Sequence, residues 1–156
     1  MVPGEILEPV YKEAVKAEVS IAVYNDAEKE LIAANGVTRY IDADARACDV
    51  AVRDTDDFVK VVNFGFNKIM LSGEPDSMKN IEKHMREMFG DKVNVFRSDT
   101  HFVELLPKYV DKGVAVEKLM RYLDINREKV ICVGDSINDM PMLRYAGMGV
   151  AMGNAQ

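Results

Sequence analysis

The chain has 156 residues, of which 48% are hydrophobic and 29% charged, so we expect a packed globular core of one domain or two small ones. The formal charge of −6 argues against a nucleic-acid partner or an anionic membrane surface. Because the sequence has no apolar run of about 18 residues and no signal-peptide pattern at its start, we expect no membrane span and a cytoplasmic location. Two cysteines, Cys48 and Cys132, imply no disulfide framework, and Cys132 is expected to be a small buried side chain.

The first hundred residues carry a mixed α+β pattern. The helices predicted there, the second of them ambiguous, are 3–18, 38–53 and 76–89. The predicted strands, of which the first two form a hairpin, are 19–24, 30–34, 68–71, 93–97 and 102–106. Ile6, Val10, Ala14 and Val15 are expected on one side of the first helix. In the third helix, the apolar residues that recur at helical spacing and are expected to fill the core are Met78, Ile81, Met85 and Met88.

The last third alternates between helices and strands. The predicted order is helix 112–123, strand 129–133, helix 138–146 and strand 148–152. Both strands are continuously apolar, which favours buried positions in a parallel sheet with covering helices. Val116, Leu119 and Met120 are expected to face inward.

The strongest functional signal is the segment 130–139, where an apolar strand runs into Gly-Asp and then reaches Asn-Asp at a helix start. Asp135 falls just beyond the carboxyl end of the strand, where ligands bind in open parallel sheets. Asn138 and Asp139 follow at a helix N-terminus, and Gly134 is expected to permit a tight turn. Two carboxylates four residues apart suit Mg²⁺, which takes one or two protein carboxylates, some waters and a substrate phosphate. The alternative is that Asp135 and Asp139 are only turn and cap residues.

Lys112 is the second signal, because it opens a helix, where the helix dipole disfavours a cation. It is therefore either solvated or held there for a purpose, such as directing a point charge at a phosphate.

With these motifs in place, residues 104–156 resemble the third and fourth motifs of the haloacid-dehalogenase (HAD)-like phosphohydrolases. Residues 58–106 resemble, more weakly, the cap domain of the Cof-type subgroup (subfamily IIB), which includes the YidA-like sugar phosphatases. The resemblance implies an α/β fold: an α+β cap domain with an antiparallel sheet and helices at 1–106, and a partial Rossmann-like core at 107–156. It also implies a Mg²⁺-dependent phosphatase that hydrolyses a small phosphorylated metabolite, such as a sugar phosphate, through a phospho-aspartate.

The resemblance assigns a role to each matching residue. Lys112 would stabilise the nucleophile and the transferring phosphoryl group, and Asn138 would help to hold the phosphate. Asp135 would bind Mg²⁺ directly, and Asp139 would bind the metal or its waters. These are the electrostatic contributions on which phosphoryl transfer depends.

The nucleophilic aspartate of the family has no convincing match. Asp42-Ala43-Asp44 follows no apolar strand, and Asp54-Thr55-Asp56-Asp57 lacks the expected Gly and Thr. We interpret both groups as turn or helix-cap carboxylates. We therefore expect a piece of a larger enzyme, inactive alone, in which missing core segments or self-association cover the partial sheet.

Two alternatives differ in class. The chain could be a non-catalytic truncated relative that serves as a binding or assembly module. P-type ion pumps share a Gly-Asp-Gly-x-Asn-Asp-x-Pro motif, which Pro141 matches, but Ser136 departs from it and neither a membrane span nor a phosphorylation loop is present.

Overall fold

The computed structural model describes residues 1–155, and the chain divides into two compact units, Met1–Lys108 and Tyr109–Gln156. No helix within residues 1–155 is long and apolar enough to cross a membrane.

A six-stranded sheet organises the first unit. Its strands in chain order are β1 Ser20–Asn25, β2 Glu30–Ala34, β3 Ala51–Asp54, β4 Ile69–Ser72, β5 Val93–Asp99 and β6 Phe102–Pro107. The strand order across the sheet is β3-β2-β1-β4-β6-β5. The β2–β3 pair is parallel and the other four pairs are antiparallel. The predicted hairpin of β1 and β2 is confirmed, with Ile21 opposite Ala34.

Four helices accompany this sheet, after a short 3-10 turn at Gly4–Ile6: α1 Leu7–Lys16, α2 Arg39–Ala47, α3 Phe58–Val61 and α4 Pro75–Phe89. Thr38 caps α2 by accepting a hydrogen bond from the amide of Ile41, and Pro75 opens α4, where its missing N–H costs nothing. Residues of α1, α3 and α4 share the larger hydrophobic cluster with alternate strand residues. The opposite strand residues, such as Ala22 and Met70, pack with α2 in a second cluster.

The second unit contains a two-stranded parallel sheet. Its elements in chain order are α5 Lys112–Tyr122, a 3-10 turn Arg127–Lys129, β7 Ile131–Gly134, a 3-10 turn Ile137–Asp139, α6 Met140–Tyr145 and β8 Met148–Ala151. Ile131 pairs with Met148, and Gly134 pairs with Ala151. Close approach of α5 and α6 requires Gly113, where a Cβ would lie 2.8 Å from the carbonyl carbon of Pro141.

The expectation that both strands of this unit are buried is wrong. All four residues of β8 are exposed, and Ile131 and Val133 of β7 are 65% and 54% exposed. Cys132 is buried, as predicted, because it points to the opposite side from these two residues. Leu119 of α5 was expected inward but is also exposed. Within residues 1–155, nothing covers these apolar side chains.

Two local expectations in the first unit are also wrong. The predicted helix 38–53 ends at Ala47, and 51–54 forms the edge strand β3 instead. Two positions that the helical period predicts to be buried are exposed. Met88 and Val15 are 45% and 43% exposed, and Phe89 provides the last buried position of α4.

Candidate functional site

The loop after β7 is organised around one buried carboxylate. Asp139 is only 4% exposed, although it is charged and lies in a short 3-10 turn. Its Oδ2 atom accepts hydrogen bonds from the backbone amides of Asp135 at 3.0 Å and Ser136 at 3.2 Å. Its Oδ1 atom accepts a hydrogen bond from Nζ of Lys112 and forms an ion pair with it.

These contacts keep Asp139 ionised. The Lys112 ammonium, followed by the two backbone amides, lowers the pKa of the Asp139 carboxyl, against the opposing effect of burial. A buried carboxylate with three donors is satisfied, and it fixes the conformation of the loop from 134 to 139.

Gly134 is required by close approach. The backbone of Gly134 has no positive φ; among the described glycines, Gly36 has one. A Cβ at Gly134 would lie 2.8 Å from Oδ2 and 2.9 Å from Cγ of Asp139. Glycine is therefore needed at this position because the Asp139 side chain lies directly over the end of β7, and not because of the expected tight turn.

The position of Lys112 at the first residue of α5 is explained by the contacts around it. Asp111 caps the helix by accepting a hydrogen bond from the amide of Val114 at 2.8 Å. Lys112 itself reaches Asp139, which compensates for the unfavourable interaction with the helix dipole. Its side chain stays 50% exposed, so the ammonium is oriented and still accessible to a ligand.

Asp135 and Asn138 have unused oxygen atoms. Asp135 is exposed, and its carboxylate makes no hydrogen bond or ion pair with any residue from 1 to 155. Oδ1 of Asn138 is buried without a hydrogen-bond partner among the described residues. A buried acceptor without a partner is costly unless a donor or a cation meets it. One free carboxylate and one amide oxygen fit an oxygen-seeking ion such as Mg²⁺.

The described residues do not by themselves form a complete metal site. No group of three or more His, Cys, Asp or Glu side chains in residues 1–155 converges to hold a metal ion. Neither histidine contributes to the loop: His84 pairs with Glu13, and His101 stacks on Tyr40.

The four predicted site residues, Lys112, Asp135, Asn138 and Asp139, all lie in the second unit. The sequence did not reveal the contributions of the Ser136 amide and the Asp111 cap. The carboxylate of Asp139, three residues after Ser136, could have indicated the Ser136 contact, since that spacing is typical of a capping box.

The two rejected aspartate groups lie in the first unit. Asp42 and Asp44 belong to α2, where Asp42 pairs with Arg46 and Asp44 accepts a 2.6 Å hydrogen bond from the Tyr24 hydroxyl. Asp54 and Asp57 are exposed, and Asp57 precedes α3.

A family model described as haloacid dehalogenase-like hydrolase matches residues 2–156. The chain therefore belongs to the haloacid dehalogenase-like hydrolases, and the resemblance identified from its motifs is confirmed. The parent family has phosphatase members.

Among its relatives, a candidate phosphatase of Haemophilus influenzae is 30% identical over 99% of this chain and 62% of its own length. The HMP-PP phosphatase of Serratia proteamaculans is 33% identical over 59% of this chain and 34% of its own length. A haloacid dehalogenase-like hydrolase from Bacteroides thetaiotaomicron has a similar structure, with a TM-score of 0.87 and 34% identity, over 99% of this chain and 57% of that one. The chain thus spans less than two thirds of the length of the proteins it matches.

Proposed function

We propose that this chain is part of a Mg²⁺-dependent phosphatase that hydrolyses a small phosphorylated metabolite through a phospho-aspartate. The observation that carries the proposal is the loop 134–139, in which Asp139 orients Lys112 and leaves the Asp135 carboxylate free. Family membership and the phosphatase names among the relatives support the reaction class. Neither aspartate group of the first unit fits the nucleophile, so we place the nucleophilic aspartate in a segment beyond these 156 residues.

Each residue has a distinct part in this proposal. Asp135 is the direct Mg²⁺ ligand, because its carboxylate is exposed and unpaired. Asn138 helps to hold the site and, through its side-chain NH₂ group, the phosphate, while its buried Oδ1 is left for a donor or the cation. Lys112 presents an ammonium to the transferring phosphoryl group, where a fixed positive charge stabilises developing negative charge. Mg²⁺, when bound, would neutralise phosphate charge.

Asp139 was expected to bind the metal or its waters. Since three donors occupy its two oxygens, we propose that Asp139 orients Lys112 and the 135–136 backbone and is not a direct metal ligand.

We also propose a separate role for each of the two units. Residues 1–106 would be the cap that sets substrate specificity, and residues 107–156 part of the catalytic core, in a cytoplasmic enzyme. The exposed apolar side of β7 and β8 supports cover by further core segments, and no observation supports self-association. A sugar phosphate is the first substrate to test, and HMP-PP, named in a relative, is the second.

Phosphatase assays test the proposal at two levels. With Mg²⁺ and a panel of phosphorylated metabolites, the 156-residue chain should release no phosphate. A longer parent protein should show Mg²⁺-dependent turnover that Asp135→Asn abolishes. Robust turnover by the 156-residue chain alone would refute the absence of the nucleophile, and full activity of the parent's Asp135→Asn variant would refute the ligand assignment.

Magnesium binding by the chain itself supplies a readout besides activity. In ¹⁵N NMR spectra, Mg²⁺ should shift the amides of residues 134–139, and Asp135→Asn should remove these shifts. Asp111→Asn serves as the matched control, because Asp111 lies near Lys112 but caps a helix. Identical Mg²⁺ shifts in wild type and Asp135→Asn would contradict the assignment.

A further inference from the structure

A cleft opens between α1 and α4 in the first unit. It has a volume of about 350 Å³ and is lined by Glu13, Lys16, Ala17, Ser77, Asn80, Ile81 and His84. This volume lies at the lower end of the range for small-molecule sites. All residues that line the cleft belong to the first unit, and none belongs to the loop 134–139.

Glu13 is the central group of the cleft. Its side chain is only 16% exposed, and its two oxygens engage two different partners. Oε1 accepts a 2.6 Å hydrogen bond from Nζ of Lys16, and Oε2 lies 2.7 Å from Nε2 of His84. Among the ion pairs of residues 1–155, the Glu13–His84 pair is the one that joins α1 to α4.

This arrangement determines which ring nitrogen of His84 is protonated. An ionised carboxylate oxygen can only accept a hydrogen bond, so Nε2 carries a proton. Nδ1 is then an acceptor when the ring is neutral and a donor when it is charged. Protonation of His84 therefore converts its second nitrogen from an acceptor into a cationic donor.

The remaining lining groups favour an acceptor-rich ligand. The Asn80 side chain and the Ser77 hydroxyl can donate as well as accept, Lys16 has N–H groups that Glu13 does not use, and both oxygens of Glu13 are engaged. The charged and titratable groups around His84 in the cleft are Glu13 and Lys16 on α1, and its own helix adds the uncharged Ser77 and Asn80. With His84 protonated, the formal charge of the lining is positive, because two cations face one carboxylate.

We propose that this cleft binds a small tetrahedral oxyanion, and that binding requires protonation of His84. The ligand class is that of inorganic sulfate and phosphate or of a metabolite that carries such a group. Glu13 holds the imidazolium in place, and Lys16, Asn80 and Ser77 complete the set of donors.

Sulfate is the appropriate probe, because its charge is constant over the pH range in which histidine titrates. Sodium sulfate would be titrated into the ¹⁵N-labelled 156-residue chain at pH 6 and pH 8, at constant ionic strength. We expect saturable shifts confined to residues 13–17 and 77–84, with weaker binding at pH 8 than at pH 6. Non-saturable shifts, shifts spread over other lysines, or equal binding at both pH values would overturn the proposal.

His84→Gln should weaken sulfate binding at pH 6 by about tenfold or more, since it removes the charged donor. His101→Gln is the matched control, because it removes the other histidine, which stacks on Tyr40 outside the cleft, and should bind sulfate normally. If His84→Gln fails to fold, Lys16→Gln decides, because it keeps the interhelical Glu13–His84 pair. Sulfate affinity of that variant equal to wild type would overturn the proposal, and a loss of about fivefold or more would support it.

Discussion

Replacing Asp139 with asparagine should destabilise the second unit and release the loop that follows β7. Asparagine has almost the same shape, but it can present only one oxygen. If that oxygen faces the amides of Asp135 and Ser136, the NH₂ group faces the Lys112 ammonium, and the ion pair is lost. The opposite orientation leaves two buried N–H groups without acceptors.

The magnitude follows from these contacts. A hydrogen bond to a charged group contributes roughly 1.5–3 kcal/mol, and an exposed ion pair about 1 kcal/mol or less. Because Lys112 is half exposed while Asp139 is buried, we discount the ion pair and expect a loss of about 2 kcal/mol. When the amide protons of Asp135 and Ser136 exchange through unfolding of the second unit, such a loss corresponds to roughly 30-fold faster exchange.

Lowering the pH should weaken the stabilisation that Asp139 provides. The pKa of Asp139 is lowered in the folded chain, so its ionised form stabilises the fold. This stabilisation is fully present above the ordinary carboxyl pKa of about 4 and is lost as the pH falls through the lower folded value. The stability difference between wild type and Asp139→Asn should therefore shrink below about pH 4.

Hydrogen exchange by NMR and urea unfolding followed on peaks of the second unit measure both effects. Asp135→Asn is the matched control, because its carboxylate is exposed and unpaired, and its effect should stay within about 0.5 kcal/mol. Equal destabilisation by the two variants would refute the assignment of Asp139 as the organising residue. A stability difference that persists unchanged at the lowest pH would also contradict it.

Three further substitutions test single contacts. Gly134→Ala should destabilise the second unit by about 2 kcal/mol in urea unfolding, through overlap with the Asp139 side chain, whereas Gly153→Ala meets open space and should be neutral. Tyr24→Phe should cost about 1 kcal/mol by removing the bond to Asp44. Since burial and, next, Asp44 raise the pKa of the Tyr24 phenol, wild type should show in an ultraviolet titration one tyrosine that stays protonated beyond the ordinary range, and the variant should not. Ile131→Thr should change stability by less than about 0.5 kcal/mol, because that side chain is 65% exposed, and a large loss would show that it is covered in solution.

Local pattern was sufficient where neighbouring residues decide the structure. The short, largely apolar runs of β1 and β2 and the helical period of α4 predicted these elements, because both faces of the strands are buried and the helix buries one face. The spacing of Gly134, Asp135 and Asp139 after an apolar strand also predicted a functional loop from sequence alone. That loop is a local structure whose ends are only a few residues apart.

Tertiary structure decided what depends on distant residues. Apolar composition predicted that β8 is buried, but burial requires a covering layer, and none of the described residues supplies one. Contact between Lys112 and Asp139, 27 residues apart, depends on how α5 packs beside the 3-10 turn. The sequence predicted that Lys112, Asp135 and Asp139 act together, and the fold distinguished the satisfied carboxylate of Asp139 from the free one of Asp135. The physical reason is that residue type determines which contacts a side chain can make, whereas packing determines which of them are already made.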